Sequence, residues 1–238
     1  MILQHIEQAI LYEDNHLLIY NKRSSEIIQG DKTGDRPVSE LLKDFIRERD
    51  KKPGNVFLGV VHRIDRPVSG AVIFAKTGKA LTRLNEMLKA GKIHKTYWAV
   101  VTQPPPREED HLVHYLVRNT TQNKSYASDH NKKDSIKAEL RYELIGKSDR
   151  YYLLRIDLLT GRHHQIRSQL SKTGIPIKGD LKYGSPRSNP DGSIHLHSYK
   201  IEFLHPVRKE MLTIIAPPPD EQLWNFFAAQ QGLSPSKS

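Results

Sequence analysis

The chain has 238 residues, which suits one large domain or two closely packed subdomains. It contains no cysteine, so disulfides and cysteine-ligated zinc or iron–sulfur centres are excluded. Subtracting 27 acidic residues from 37 lysines and arginines leaves a net charge of +10. This charge favours a polyanionic partner, although ordinary basic proteins can carry it too.

The N-terminal segment does not look like a secretory signal. Glu7, Glu13 and Asp14 lie where a signal peptide would have a basic start and an apolar stretch. No apolar run approaches the roughly 20 residues that a membrane-spanning helix needs. These features predict a soluble protein, and the lack of cysteine fits a reducing cytoplasm.

Short apolar segments alternate with turn-rich stretches along the chain. The predicted strands are residues 9–12, 17–21, 56–61, 71–75, 93–102, 136–145, 151–159, 195–204 and 211–216. Helical spacing predicts helices over residues 38–46, 79–89, 162–170 and 221–230, with Thr77 as the N-cap of the second. Local antiparallel pairing with interspersed helices indicates the α+β class.

Three further expectations concern less regular parts of the chain. Alternation in residues 93–102 predicts two faces, with His94, Thr96 and Trp98 on one and Lys95, Tyr97 and Ala99 on the other. Residues 107–135 show little pattern, and residues 119–135 are expected to form an exposed excursion. Residues 232–238 are expected to be a frayed tail.

A charged turn, His62-Arg63-Ile64-Asp65-Arg66-Pro67-Val68-Ser69-Gly70, separates two of the predicted strands. A protein core has no structural need for that much charge, so these groups must be solvated, paired or used. A second motif begins at Thr160-Gly161, where a strand gives way to a helix and backbone N–H groups would point at an anion such as phosphate.

Together these motifs resemble the RluA-type RNA pseudouridine synthases. The charged turn is similar to that family's His-Arg-Leu-Asp-x-x-Thr-Ser-Gly, and residues 161–167 are similar to its Gly-Arg-Thr-His-Gln-Ile-Arg. Further matches follow in family order across residues 9–216: Lys95-x-Tyr97-x-Ala99, Gly179-Asp180, Tyr183-Gly184, Leu196-His197 and Phe203-x-His205-Pro206. The chain departs from the family at Arg23, Ser25, Val68, His163, Ser168 and Gln169.

The resemblance implies an enzyme that isomerises uridine to pseudouridine in rRNA or tRNA. Asp65 would be the catalytic carboxylate, either attacking the anomeric carbon or removing a sugar proton; the sequence leaves both routes open. Arg167 would pair with Asp65 and keep it ionised in a dry pocket. Tyr97 would pack against the uracil and assist removal of the carbon 5 proton.

The resemblance also assigns residues to substrate binding. A paired uridine must leave the base stack to react, and Arg63 would fill the gap it leaves. Ile166 and Leu170 would floor the pocket, and His62 and Arg162 would contact the substrate. The implied fold is a single catalytic domain over residues 1–238, with two intimate subdomains, a mixed and mostly antiparallel sheet, and a central basic cleft. No cofactor or metal, no extra N-terminal RNA-binding domain and a monomeric state are expected.

Each of these residues also has a plainer interpretation. Taken singly, Asp65 would be a backbone cap in a turn, Tyr97 a core aromatic and Arg167 a surface residue of a helix. Because all three occur together at the positions that match the family motifs, a catalytic site is favoured over these structural roles. One alternative is a non-catalytic RNA-binding protein of the same fold. A metal-dependent phosphodiesterase using His163, His164, His195 and His197 is disfavoured, because adjacent helix residues diverge by about 100° and no further ligand pattern supports a metal.

Overall fold

The computed structural model describes residues 2–30 and 34–233, so the expected tail lies outside it from residue 234 onward. The chain divides into two compact units. The first comprises Met1–Ile93 and Ser198–Pro217, and the second comprises His94–His197 and Pro218–Ser238. Among the helices of the described chain, none is both long and apolar enough to cross a membrane.

The first unit is a sheet covered by helices on both faces. Its helices are α1 (Ile2–Gln8), α2 (Val38–Arg49) and α3 (Gly78–Lys89). Its strands are β1 (Ile10–Glu13), β2 (Leu17–Lys22), β3 (Gly59–Val60), β4 (Ser69–Ala75), the part of β10 (Leu196–Leu204) from Ser198 onward, and β11 (Met211–Ile215). The strand order is β1-β2-β4-β10, with β11 paired to β10 and β3 paired to β4.

Burial on both faces explains why the central strands of this unit read as continuous apolar runs. In β2, Leu17 and Ile19 pack in the core layer that contains Leu84 of α3. The alternate residues Leu18 and Tyr20 pack in the layer that contains α2. A strand sandwiched in this way has no polar face, so its sequence shows no alternation.

The second unit is built on an antiparallel sheet. Its strands are β5 (Ile93–Val101), β6 (Glu109–Asn119), β7 (Lys124–Ser128), β8 (Ile136–Lys147) and β9 (Tyr152–Leu158), in the order β5-β9-β8-β6-β7. Each neighbouring pair is antiparallel. Helices α4 (Gln165–Lys172) and α5 (Gln222–Gln230) and a short 3-10 turn, Leu181–Tyr183, complete the unit.

Most of the predicted elements are confirmed. The sheet is mixed with helices and mostly antiparallel, and α2, α3 and α5 lie where helical spacing placed them. Thr77 caps α3 as expected, because its Oγ1 accepts the N–H of Ala80 at 3.2 Å.

Other predictions are wrong in detail. The strand expected over residues 56–61 shortens to Gly59–Val60. The expected strand over residues 93–102 is present as β5, and both of its faces are covered, since every residue from Thr96 to Val101 is buried. Helix α4 begins at Gln165 rather than near residue 162, because His164 adopts the left-handed conformation with φ of 52°. The unpatterned stretch 107–135 contains β6 and β7.

Candidate active site

The charged turn of the first unit is held at both ends. The Asp65 carbonyl accepts the N–H of Val68 at 3.0 Å, which closes the turn, and Asp65 itself is half-buried. His62 is buried, and its Nε2 accepts the N–H of Ile73 on β4 at 3.3 Å. Arg63, between them, is exposed. The backbone around Asp65 is therefore fixed to β4 while the Arg63 side chain extends into solvent.

Glycine is required where the turn enters β4. Gly70 has φ of +114°, a conformation that side chains disfavour. A Cβ at this position would lie 2.4 Å from the carbonyl oxygen of Ser198 on β10. The close approach of these two backbones is thus possible only without a side chain at residue 70.

Lys22 secures the turn from beneath. Its side chain is 1% exposed, and its Nζ donates to the carbonyl oxygens of Arg23 (2.7 Å), Glu26 (2.9 Å) and Arg66 (3.1 Å). The N–H of Ser25 donates to the same Arg66 oxygen at 3.0 Å. Burial lowers the pKa of Lys22 to about 7, and the charges of Glu26 and Asp65 oppose this change. The residue next to Asp65 is thereby tied to the loop that follows β2.

In the second unit, Arg167 forms a buried ion pair with Asp180. Its Nε lies 2.7 Å from Oδ2 of Asp180 and its Nη2 lies 2.8 Å from Oδ1, which is bidentate pairing. Arg167 is 5% exposed and Asp180 is 1% exposed. The guanidinium carbon also lies 4.9 Å from the centre of the Tyr183 ring. The plane of the guanidinium group is therefore fixed on two sides.

The remaining predicted residues of this unit differ in exposure. Tyr97 on β5 is buried, as is Ile166 on α4, while Leu170 is fully buried. Arg162 is exposed, and its Nε donates to the carbonyl of Lys137 at 3.2 Å. Its backbone N–H donates to Oε1 of Gln165 at 3.0 Å. The side chain of Gln165 therefore satisfies one backbone N–H of this strand-to-helix turn, and the anion site expected at the turn stays a prediction.

Helix α4 is fastened to the sheet by the residues at which the chain departs from the family motif. The Oγ of Ser168 donates to the carbonyl of Ser125 at 3.0 Å. The Nδ1 of His163 lies 2.9 Å from the Oγ of Ser125. Nε2 of Gln169 donates to the carbonyl of Ala138 at 3.2 Å. These contacts join the helix that carries Arg167 to β7 and β8.

The predicted site residues are divided between the units. The first contains His62, Arg63 and Asp65, and the second contains Tyr97, Arg162, Ile166, Arg167 and Leu170. The pairing of Asp65 with Arg167 stays a prediction. Sequence reasoning missed the roles of Lys22 and Asp180, although Asp180 lies in a motif that resembles the family. A carboxylate between Gly179 and Leu181 is the signal that could have identified Asp180, whereas Lys22 lies between Asn21 and Arg23 and has no such signal.

The histidines considered as metal ligands have other contacts. Within residues 2–30 and 34–233, no group of three or more His, Asp or Glu side chains is arranged to hold a metal ion. His163 and His164 stack on each other with ring centres 3.8 Å apart, and His195 stacks on Trp224 at 5.2 Å.

Comparison with known proteins identifies what the chain is similar to. A family model described as RNA pseudouridylate synthase matches residues 16–172. A Synechocystis protein named as an uncharacterized RNA pseudouridine synthase is 31% identical over 223 residues, covering 92% of this chain and 68% of the relative. Ribosomal large subunit pseudouridine synthase C of Buchnera aphidicola is 35% identical over 215 residues, covering 87% of this chain and 66% of the relative.

Solved structures share the fold at lower sequence identity. Human RNA Pseudouridylate Synthase Domain Containing 4 superposes with a TM-score of 0.79 at 18% identity, covering 96% of this chain and 95% of that one. Human RNA Pseudouridylate Synthase Domain Containing 1 superposes with a TM-score of 0.68 at 20% identity, covering 96% of both chains.

Proposed function

This chain belongs to the RNA pseudouridylate synthase family, an isomerase family that acts on RNA, and on that premise we propose that Asp65 is its catalytic carboxylate. The substrate would be a uridine in rRNA or tRNA. The reaction breaks the bond between the ribose and a ring nitrogen and remakes it to carbon 5 of the same base. Uridine and pseudouridine are isomers, so no cofactor is needed to balance the reaction.

The setting of Asp65 is the observation that carries this proposal. A carboxylate acts on an anomeric centre only if it is held in position and kept ionised. The neighbouring carbonyl of Arg66 is bonded to Lys22, and the Asp65 carbonyl is bonded to Val68. These hydrogen bonds hold the backbone of the turn and so fix the point from which the Asp65 side chain extends.

We propose that Tyr97 and Arg167 serve the same reaction. Arg167 would supply positive charge for the carboxylate, and its bidentate contact with Asp180 orients the guanidinium group. Tyr97 would pack against the uracil, with its hydroxyl assisting proton removal from carbon 5. Ile166 would floor the pocket, and Leu170 would support that floor because it is fully buried.

Base flipping would depend on Arg63. A uridine in a helix must leave the stack to reach an enclosed carboxylate. Arg63 is exposed and lies two residues before Asp65, so its side chain is free to enter the RNA helix at the position that the base vacates. Arg162 is exposed on the second unit and would contact the RNA backbone. His62, which is buried against β4, would position the turn rather than touch the base.

The partner would be RNA of the large ribosomal subunit in the first instance, because the relatives named as synthases C carry that designation. The chain spans about two thirds of the length of the curated relatives. Its target RNA must therefore be determined by experiment on this protein. A cytoplasmic, monomeric enzyme that needs no metal is the simplest form of this proposal.

The test uses large-subunit rRNA and tRNA transcripts labelled with tritium at carbon 5 of uridine, with a chelator present. Wild-type protein should release tritium from one class of RNA, and Asp65→Asn should release none while still binding that RNA. Asp149→Asn is the matched control, because it neutralises an exposed aspartate in a turn of the second unit and should retain full activity.

Two further outcomes decide between interpretations. RNA binding without tritium release by the wild type would favour a non-catalytic RNA-binding protein. Loss of both binding and activity in Asp65→Asn would assign Asp65 a structural role.

Tyr97→Phe should slow single-turnover tritium release more than it weakens binding, and an unchanged rate would remove its hydroxyl from the mechanism.

A further inference from the structure

A cavity of 390 Å³ lies in the second unit, at the N-terminal end of α5. Tyr151 and Phe226 contribute aromatic rings to its lining, Lys178 contributes an ammonium group, and Glu221 and Gln222 contribute polar groups. Its size is within the range of small-molecule sites in proteins. None of these residues belongs to the catalytic site proposed above.

A buried polar network fixes the charged lining groups from behind. Nζ of Lys178 donates to Oδ1 of Asn189 at 2.7 Å, and Nδ2 of Asn189 lies 2.9 Å from Nδ1 of His195. Nε2 of His195 lies 3.2 Å from Oε2 of Glu221. Asn189 is 6% exposed and His195 is 4% exposed. The network therefore links two lining residues, Lys178 and Glu221, through two buried side chains.

The network has one consistent set of donors. A lysine ammonium can only donate, so Oδ1 of Asn189 is its acceptor and the amide nitrogen must donate to Nδ1 of His195. His195 is then neutral with its proton on Nε2, which donates to Glu221. Gly179, beside Lys178, has φ of +89°, and a Cβ there would lie 2.7 Å from Nδ2 of Asn189. The backbone of Gly179 therefore lies close to the Asn189 side chain, which leaves no room for a side chain at residue 179.

Helix α5 contributes one of its two adjacent phenylalanines to the cavity lining. Phe227 is fully buried in the core, whereas its neighbour Phe226 is 43% exposed at the cavity. Lys178 lies 5.8 Å from the centre of the Tyr151 ring, so positive charge adjoins an aromatic face. Aromatic faces beside an ammonium group suit a planar base attached to a phosphate.

We propose that this cavity binds an unpaired nucleotide of the RNA substrate, outside the uridine that reacts. The base would stack on Phe226 with Tyr151 beside it, the phosphate would contact Lys178, and Gln222 would meet the edge of the base. The net charge of +10 favours RNA as the source of the nucleotide, and this inference rests on the proposed function. The cavity would give the enzyme a second point of attachment and so contribute to the choice of target.

The first test maps the contact on the wild-type protein, so it does not depend on any variant folding. A short single-stranded oligouridylate carrying 4-thiouridine is photocrosslinked to the protein, and the crosslinked peptides are identified by mass spectrometry. Peptides that contain Tyr151 or Phe226 are expected. Crosslinks confined to other peptides would overturn the proposal.

The second test measures RNA affinity by fluorescence anisotropy at several salt concentrations. Phe226→Ala should weaken binding of the oligonucleotide at least about fivefold, the effect of losing one stacked base. Lys178→Met should weaken it and reduce the salt dependence by about one phosphate contact. The controls Phe57→Ala and Lys89→Met change an exposed phenylalanine and an exposed lysine of the first unit and should bind like the wild type.

The outcomes separate this inference from the proposed function. Unchanged affinity in both cavity variants would overturn the cavity site while tritium release stayed intact. Retained tritium release in Asp65→Asn would overturn the catalytic assignment without affecting the crosslinks. Free uridine monophosphate is the remaining probe: if Phe226→Ala abolishes its binding but leaves RNA affinity unchanged, the site takes free nucleotides and the RNA assignment is wrong.

Discussion

The ion pair between Arg167 and Asp180 provides the sharpest prediction of stability. Both side chains are almost completely buried, and two hydrogen bonds of 2.7 and 2.8 Å join them. Asp180→Asn keeps the size of the side chain but removes its charge. It also places an amide N–H₂ group against one guanidinium N–H, so that two donors face each other.

The expected cost is large because the variant removes the negative charge from a bidentate pair whose guanidinium group stays buried. Breaking a buried pair by removing one partner typically costs about 3–5 kcal/mol. Equilibrium unfolding in urea should therefore show a loss of this size in the free energy of unfolding. Asp129→Asn is the control, because Asp129 pairs with Lys172 at 2.9 Å but is 59% exposed. An exposed pair of this kind contributes about 0–1 kcal/mol.

A double-mutant cycle separates the ion pair from other effects of the substitution. Arg167→Met removes the buried charge, so adding Asp180→Asn to it should cost much less than Asp180→Asn costs alone. The reasoning would be refuted if Asp180→Asn lay within about 0.5 kcal/mol of the wild type. It would also be refuted if the two single costs simply added, since that would mean that the groups do not interact.

Three other predictions test the supports of the two units. Gly70→Ala should destabilise the protein by more than about 1 kcal/mol in urea unfolding, because its Cβ would meet the backbone of Ser198; a neutral effect would contradict the close approach. Burial lowers the pKa of Lys22 to about 7, whereas an unfolded lysine titrates near 10.4. The unfolded state therefore binds more protons between these values, and the stability of the wild type relative to Lys22→Met should rise with pH across them by up to about 1.4 kcal/mol per unit. Burial also lowers the pKa of His195, so its contribution to stability should be present above about pH 6.5 and be lost as the pH falls. A pH-independent difference from His195→Gln between about pH 5 and 7 would contradict it.

Sequence patterns predicted the elements that are stabilised by contacts between residues close in sequence or by burial of apolar side chains. Thr77 could be identified as a cap because the N–H that it accepts lies three residues away. Helices α2 and α3 could be identified because their apolar stripes recur at helical spacing and face the sheet. Burial of both faces of the sheet preserved the signal in β2 and β4 as continuous apolar runs.

Strands β6 and β7 were not predicted because polar residues occupy some of their buried positions. His114 on β6 is buried, and its Nδ1 lies 3.1 Å from Nε2 of Gln169, a residue 55 positions away. Ser125 on β7 is buried, and its backbone N–H donates to the hydroxyl of Tyr183, 58 positions away. A pattern based on apolar residues counts such positions as exposed, because the partners that satisfy them are distant in sequence.

The same reasoning explains what the sequence showed and concealed at the candidate site. Asp65 stood out because its turn interrupts two apolar runs, so its charge was conspicuous. Lys22 did not, because a lysine that ends a strand is usually solvated. One of the three carbonyl groups that accept from its buried ammonium group is that of Arg66, 44 residues further along the chain. That hydrogen bond is also what ties the loop after β2 to the turn of Asp65. The interaction that hides the lysine from sequence reasoning is therefore one that positions the proposed catalytic residue.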